Sequence, residues 1–415
     1  MLRRFCLYGF LKNQQYFEPY LVLAFLQKGL SFFQIGMLVA CREATVNLLE
    51  VPSGAVADIW GRRRSMMLSF VAYMASFVLL ALAGNLLLLV PAMVLFGVGE
   101  TFRTGTHKAL ILSWLKEQGL EREKTRVYGL TRSWSKLGSA AAVVIGTGWV
   151  LYSDDYVALF WLSLLPYTAG LVNFLGYPRQ LDQPTKTAGK SVAGHLWQSL
   201  RKVFTESMTR RLVLEGTAYE GAFRVTREYL QPLLQAAAVS MVAAVPAVGH
   251  ISPGHRRQSA LLVGPVYLFL YLLSAAASRR TGMLAKKAGS ERAAARVVWT
   301  ATLFCYAAML PSLLTDLKPA AIACLVLAYV LQNFYRPLFV SRLWDFCPEN
   351  MAATVLSVET QLRSFVVMLL APAVGAAVDW ATAIDPSSGL WPVSAAGIAA
   401  AVAYVLSFRK ERQCQ

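Results

Sequence analysis

The sequence predicts an all-α membrane protein of 12 transmembrane helices in two pseudo-symmetric six-helix bundles. Three observations carry that expectation: apolar windows of spanning length recur along nearly the whole chain, the charges between them fit one membrane orientation, and the second half echoes the first. Of 415 residues, 56% are hydrophobic and 15% charged, whereas a soluble domain carries about 25% charged residues. Crossing roughly 30 Å of hydrocarbon takes about 20 apolar residues. Windows of that size cover approximately 5–27, 32–57, 64–84, 87–113, 127–151, 157–176, 211–242, 258–280, 295–314, 319–342, 352–377 and 390–408.

Forty Lys and Arg against 23 Asp and Glu give a net charge of +17, which in a soluble protein would point to nucleic acid. Position excludes that reading. With both termini in the cytoplasm, Arg3, Arg4, Arg62, Arg63, Arg64, Lys116, Lys124, Arg126, the cations of 179–211 and of 279–296, Arg342 and Arg409 all fall inside. The outer loops keep only Lys28, Arg256, Arg257 and Lys318. This asymmetry obeys the positive-inside rule, so the expected partner is a lipid bilayer and no nucleic acid is expected; the expected location is a bacterial inner (plasma) membrane.

Cys6, Cys41, Cys305, Cys324, Cys347 and Cys414 have no paired spacing, so neither a disulfide frame nor a zinc site is predicted. Arg3 and Arg4 precede an apolar run, but Lys12, Asn13, Gln14, Gln15 and Glu18 interrupt it and no small-residue cleavage site follows. The first span is therefore expected to be retained.

The halves echo each other in a constant order. Tyr16-Phe17-Glu18-Pro19 in the first span matches Tyr229-Leu230-Gln231-Pro232 in the seventh; Phe102-Arg103 matches Tyr335-Arg336, and Arg132-Ser133 matches Arg363-Ser364. Gly54, Ala57 and Gly61 recur as Gly282, Ala285 and Gly289. The register shift between the first echo and the others requires extra residues between the seventh and eighth spans, and the stretch from Ala243 to Arg257 supplies them. The expected domains are 1–176 and 211–415, each a six-helix bundle, joined by a polar cytoplasmic linker at 177–210.

Between the second and third spans, Gly54 to Arg64 reads GAVADIWGRRR. This loop resembles the helix 2 to 3 loop of the major facilitator superfamily, matching it at Gly54, Ala57, Asp58, Gly61, Arg62 and Arg63 and departing at Val56 and Ile59. The resemblance implies a secondary transporter with a solute site between two bundles near mid-membrane. It also implies a gating role for Gly54, Asp58, Gly61, Arg62 and Arg63. The second copy carries Lys286 and Lys287 where Asp58 and Ile59 stand, so it keeps the turn and loses the acid. The Gly-Pro signature of proton-driven drug exporters is missing, since Gly138 to Gly148 reads GSAAAVVIGTG.

A charge at mid-bilayer costs about 2.5–3.5 kcal/mol on insertion scales, so ionisable residues inside spans are functional candidates. The first span places Lys12, Gln15, Tyr16 and Pro19 along one strip, and the fourth places Glu100, Arg103, Thr104, His107 and Lys108 along another. Arg132 and Lys136 stand one turn apart in the fifth span; Glu220, Arg224 and Arg227 lie in the seventh, Arg336 in the tenth, and Glu359 with Arg363 in the eleventh. Pairs such as Glu220 with Arg224, or Glu359 with Arg363, can equally neutralise one another as packing contacts. For Arg103, Arg132, Lys136 and Arg336 a solute-binding role leads, because nearby acids are too few to pair every cation. Guanidinium forks suit carboxylate or phosphate.

Glu18, Glu100 and Glu220 are the candidate proton carriers. The expected function is therefore secondary transport of a small polar, anionic solute by alternating access, proton-coupled and monomeric, with no cofactor and no catalysis. Efflux of amphipathic toxic compounds, or a receptor or scaffold that keeps a transporter fold, are the alternatives.

Overall fold

The computed structural model describes residues 1–103, 106–120, 123–178, 205–243, 255–346 and 349–409. Among these residues every regular element is helical: α1 (Leu2–Leu11), α2 (Leu21–Gln27), α3 (Phe32–Trp60), α4 (Arg62–Leu82), α5 (Leu86–Arg103), α6 (Thr106–Glu117), α7 (Lys124–Ser153), α8 (Ala158–Leu175), α9 (Ser207–Thr226), α10 (Leu230–Ala243), α11 (His255–Lys287), α12 (Glu291–Leu314), α13 (Lys318–Phe346), α14 (Glu349–Ile384) and α15 (Trp391–Arg409). Most of the expected linker and of the loop insertion lies outside the described residues, as do Thr104, Cys347, Cys414 and the side chains of Asp58 and Lys108. Eight of the described helices are long and apolar enough to cross a bilayer.

The first and seventh apolar windows, expected as single spans, are each split. In the first, a 3-10 turn at Glu18–Tyr20 separates α1 from α2; in the seventh, one at Arg227–Tyr229 separates α9 from α10. Both turns fall at or beside the tetrapeptides that the internal repeat aligns. Pro19 brings no backbone N–H to the first. Backbone polar groups cannot be left open inside a bilayer, and amide side chains beside the break enter the accounting: Asn13 donates to the carbonyl of Ser135 at 2.9 Å and Gln14 to that of Gly138 at 3.1 Å. These bonds tie α1 to α7, whose backbones approach so closely that a Cβ on Gly138 would lie 2.4 Å from the Phe10 carbonyl oxygen. Small residues at such crossings allow the approach.

The chain resolves into two compact units, Met1–Leu30 with Cys41–Lys190 and Ser252–Leu268, and Ser31–Ala40 with Ser191–Ile251 and Phe269–Gln415. The first unit has an aromatic core of Tyr73, Phe77, Phe96, Phe160 and Tyr167, with the Phe77 and Tyr167 rings meeting edge to face at 4.8 Å. Such pairs add to the gain from burial alone. In the second unit Tyr219 stacks on Tyr335 at 4.0 Å, and Trp299 closes on Tyr219 at 4.8 Å.

Each unit also contains a segment contributed by a helix that continues into the other. In the second unit the Asp379 carboxylate accepts from the N–H groups of Phe32 and Phe33, at 2.9 and 2.8 Å, at the start of α3. In the first unit the Asp154 carboxylate accepts from the N–H of Arg257 at 3.2 Å, in the opening turn of α11, while the Asp154 carbonyl accepts from Arg256. The two caps are offset by the same 225 residues, 32 to 257 and 154 to 379. An acid at a helix N-terminus satisfies orphan donors and complements the helix dipole. The duplication thus reaches individual hydrogen bonds.

Candidate functional site

In the first unit a cavity of about 450 Å³ opens among α1, the α5–α6 segment and α7. From α1 and the turn that follows it the cavity takes Tyr8, Gly9, Lys12 and Asn13; from α5 and α6 Arg103, His107 and Ile111; from α7 Tyr128, Thr131, Arg132, Ser135, Lys136 and Ser139. The positions repeat at three and four residues because one face of each helix is presented. Lys12, Arg103, His107, Arg132 and Lys136, all singled out in the sequence, are brought together here. Among the described residues its lining contains no carboxylate.

The cations are held by aromatic rings and by the fold. Arg103 lies 5.5 Å from the centre of the Tyr73 ring, and the Lys12 ammonium 5.5 Å from that of Tyr8, distances at which a ring face attracts a cation. Tyr8 itself packs on the imidazole of His107 at 3.9 Å, and His107 Nε2 is buried with no hydrogen-bond partner among the described residues. Arg132 and Lys136 are exposed on α7. Two acids act on this group from its edge. Glu100, one turn before Arg103, acts electrostatically on Arg103, and Glu18, exposed in the 3-10 turn, acts on Lys136.

The α7 face also presents hydroxyls with a fixed polarity. Thr131 donates to the carbonyl of Tyr128, Ser135 to that of Thr131 and Ser139 to that of Ser135, at 2.9, 3.1 and 3.3 Å. Their protons are used within the helix, which leaves lone pairs toward the cavity. Sequence reasoning passed over these hydroxyls and Tyr8, although the hydroxyls keep helical spacing with Arg132 and Lys136, and Tyr8 stands four residues before Lys12. Gln15 and Tyr16 are placed elsewhere: Gln15 donates to the Tyr167 hydroxyl at 2.9 Å, and Tyr16 is buried.

In the second unit the candidate charges meet one another. Glu359, fully buried, accepts from Arg336 at 3.0 Å and from Arg363 at 3.5 Å. Glu220 faces Gln332, whose Nε2 lies 3.1 and 3.2 Å from its two carboxylate oxygens. Arg227 donates to Glu228 at 3.0 Å, and Arg224 is half-buried on α9. A pair not anticipated from sequence joins Arg342 of α13 to Glu215 of α9, with contacts of 2.6 and 3.0 Å and a third bond from the Tyr335 hydroxyl.

Of the loop residues, Gly61 adopts φ +99° between α3 and α4, a conformation open to glycine and costly for other residues. Gly54 is exposed on α3. Arg62 donates to the Ser113 hydroxyl at 2.7 Å. Arg63 reaches the carbonyls of Phe174 and Leu175 at 3.0 and 2.9 Å, and Arg4 reaches that of Asn173 at 3.0 Å. Two arginines therefore cap the C-terminus of α8, where the helix dipole favours cations. Among the described residues no group of three or more His, Cys, Asp or Glu could hold a metal ion.

A multi-pass helical protein with a polar, cation-lined cavity in its first unit has a frame suited to a membrane transporter. The profile of the Major Facilitator Superfamily matches residues 13–372, and the chain belongs to that family. It is 21% identical over 220 residues to the uncharacterized MFS-type transporter YxaM of Bacillus subtilis (strain 168), covering 52% of this chain and 54% of that protein. The chain thus spans about half the length of the curated relative it matches. Among solved structures, the nucleoside transporter NupG superposes with a TM-score of 0.72 at 13% identity, covering 98% of this chain and 96% of that one. A POT family transporter in complex with 5-aminolevulinic acid gives 0.68 at 12% identity, with 98% and 95% covered. A D-xylose-proton symporter gives 0.61 at 12%, with 97% and 95% covered. These similarities establish the fold.

Proposed function

We propose that this transporter moves a small polar, anionic solute by alternating access, as a proton-coupled monomer of the bacterial inner membrane with both termini in the cytoplasm. The observation that carries the anionic reading is the first unit's cavity, which gathers Lys12, Arg103, Arg132 and Lys136 and, among the described residues, is lined by no carboxylate. Cations so grouped within apolar helices are costly, and an anion offsets that cost. The same grouping disfavours efflux of lipophilic cations. Twelve spans, grouped as bundles 1–176 and 211–415 about a linker at 177–210, complete the proposed architecture.

In this reading Glu18 is the leading proton carrier, because its charge acts on Lys136 and its protonation would strengthen the cavity's hold on an anion. Glu100 plays the same part toward Arg103, and Glu220 serves the second unit. Gly54, Asp58, Gly61, Arg62 and Arg63 form the inner gate. Solute and proton shift the balance between two states only through different affinity for each. Purified protein in liposomes, given an imposed pH gradient, should accumulate a labelled anionic solute, and Asp58→Asn should abolish this without preventing insertion. Movement of lipophilic cations instead, or uptake indifferent to the gradient, would refute the corresponding part.

A further inference from the structure

We infer that the first unit reads hydroxyl groups on the solute where α1 meets α7, with Asn13, Ser135 and Ser139 serving as fixed hydrogen-bond acceptors. This deepens the anionic reading above, on which it rests for the choice of hydroxyl over ammonium. It concerns the neutral part of the solute, and the three residues carry no charge. All three line the cavity.

Their donors are already spent. The Asn13 amide nitrogen donates to the carbonyls of Gly9 and Ser135, at 3.0 and 2.9 Å, which uses both of its hydrogens and fixes which end of the amide is nitrogen. Its oxygen is left for a ligand, and an amide oxygen can only accept. Ser135 gives its proton to the carbonyl of Thr131 at 3.1 Å, and Ser139 gives its own to that of Ser135 at 3.3 Å. Each hydroxyl therefore also meets a ligand as an acceptor. Asn13 and Ser139 donate to the same carbonyl, that of Ser135, so one backbone group holds the acceptors of the two helices together.

Water satisfies such acceptors while the cavity is empty, and a solute that displaces it must supply donors or leave them unmet. An alkyl chain supplies none. An ammonium group has donors, but Arg132 and Lys136 line the same cavity and repel it. Hydroxyls remain, and a polyhydroxy carbon chain presents several in a row. A site built to bond a solute hydroxyl discriminates strongly against the analogue that lacks it. At about 450 Å³ the cavity falls within the range of small-molecule sites, roughly 300–1,000 Å³.

The test compares probes by calorimetry on the purified full chain in detergent, with protein-free micelles as the blank. Gluconate and hexanoate share their charge and carbon number and differ in hydroxyls; norleucine adds an ammonium to the hexanoate chain; mannitol has hydroxyls and no charge. Gluconate should bind at least about tenfold more tightly than hexanoate or norleucine, because an acceptor left unmet costs that order of affinity. Ser135→Ala and Ser139→Ala should each bring the ratio of gluconate to hexanoate affinity toward one, whereas a merely structural defect would weaken both probes alike. Ser139→Thr keeps the hydroxyl and should keep the ratio. The comparison within the native protein decides the matter even where a variant fails to fold. Equal binding of gluconate and hexanoate would overturn the inference and leave the anionic reading standing. Tighter binding of norleucine than of gluconate, or binding of none of the four, would also overturn it. Mannitol bound as tightly as gluconate would support the hydroxyl readers and overturn the anionic reading.

Discussion

Replacing Glu215 by Gln is the sharpest test of how the second unit holds its charges. The carboxylate receives both nitrogens of the Arg342 fork, at 2.6 and 3.0 Å, and the Tyr335 hydroxyl at 3.1 Å. The side chains of Arg342 and Glu215 are only 8% and 1% exposed. An amide of the same shape keeps one acceptor and turns its other end into a donor facing a guanidinium, so the buried cation loses its counter-charge. Breaking a buried pair from one side costs about 3–5 kcal/mol, whereas exchanging both partners for apolar residues is often neutral. Glu215→Gln should therefore lower thermal stability in detergent strongly, and Glu215→Leu with Arg342→Leu should recover most of the loss. Tryptophan fluorescence reads this locally, because Trp299 packs 6.1 Å from Tyr335. A single variant that melts with the native protein, or a double variant no better than the single, would refute the argument.

Three further outcomes follow from the same geometry. Asp379→Ala and Asp154→Ala each remove a helix cap, and each should cost about 0.5–2 kcal/mol, measured as faster amide exchange in the first turns of α3 and α11. Gly61→Ala forces an L side chain into φ +99° and should cost about 1–2 kcal/mol, read as a lower melting temperature. Arg63→Ala leaves the Phe174 and Leu175 carbonyls without their cation; the loss should be about 1 kcal/mol, with proteolysis after α8 accelerated.

The helical class and the echo of one half in the other were legible because hydrophobic span length and small-residue loops are local properties of the chain. The five cavity residues Lys12, Arg103, His107, Arg132 and Lys136 were legible for a related reason: an ionisable group inside an apolar helix is conspicuous wherever its partner lies. Partners were not. Arg342 read as an inner-side cation at the very end of the tenth span, yet α13 extends to Phe346 and places it against Glu215. Arg336 read as a cation short of acids, while Glu359, remote in sequence, lies 3.0 Å away. The α1–α2 break was foreshadowed by Pro19, but the use of Asn13 and Gln14 to bond α7 carbonyls depends on a helix crossing that no periodicity encodes.

These pairings separate the two units in kind. Arg336, Arg342 and Arg363 in the second unit each meet a carboxylate, Arg336 and Arg363 sharing that of Glu359. In the first unit Arg103 rests on a ring, and Arg132 and Lys136 stand exposed in the cavity. A repeat that duplicates its helix caps to the same residue offset has thus, among the described residues, not duplicated these arginine–carboxylate pairs. A cation already held by a buried carboxylate gains less from an added anion than one held by a ring or exposed in a cavity, so recognition of solute charge should fall to the first unit. Charge-neutralising variants should then be unequal: Lys136→Gln should weaken anion binding with little change in melting, while Arg363→Gln should do the reverse.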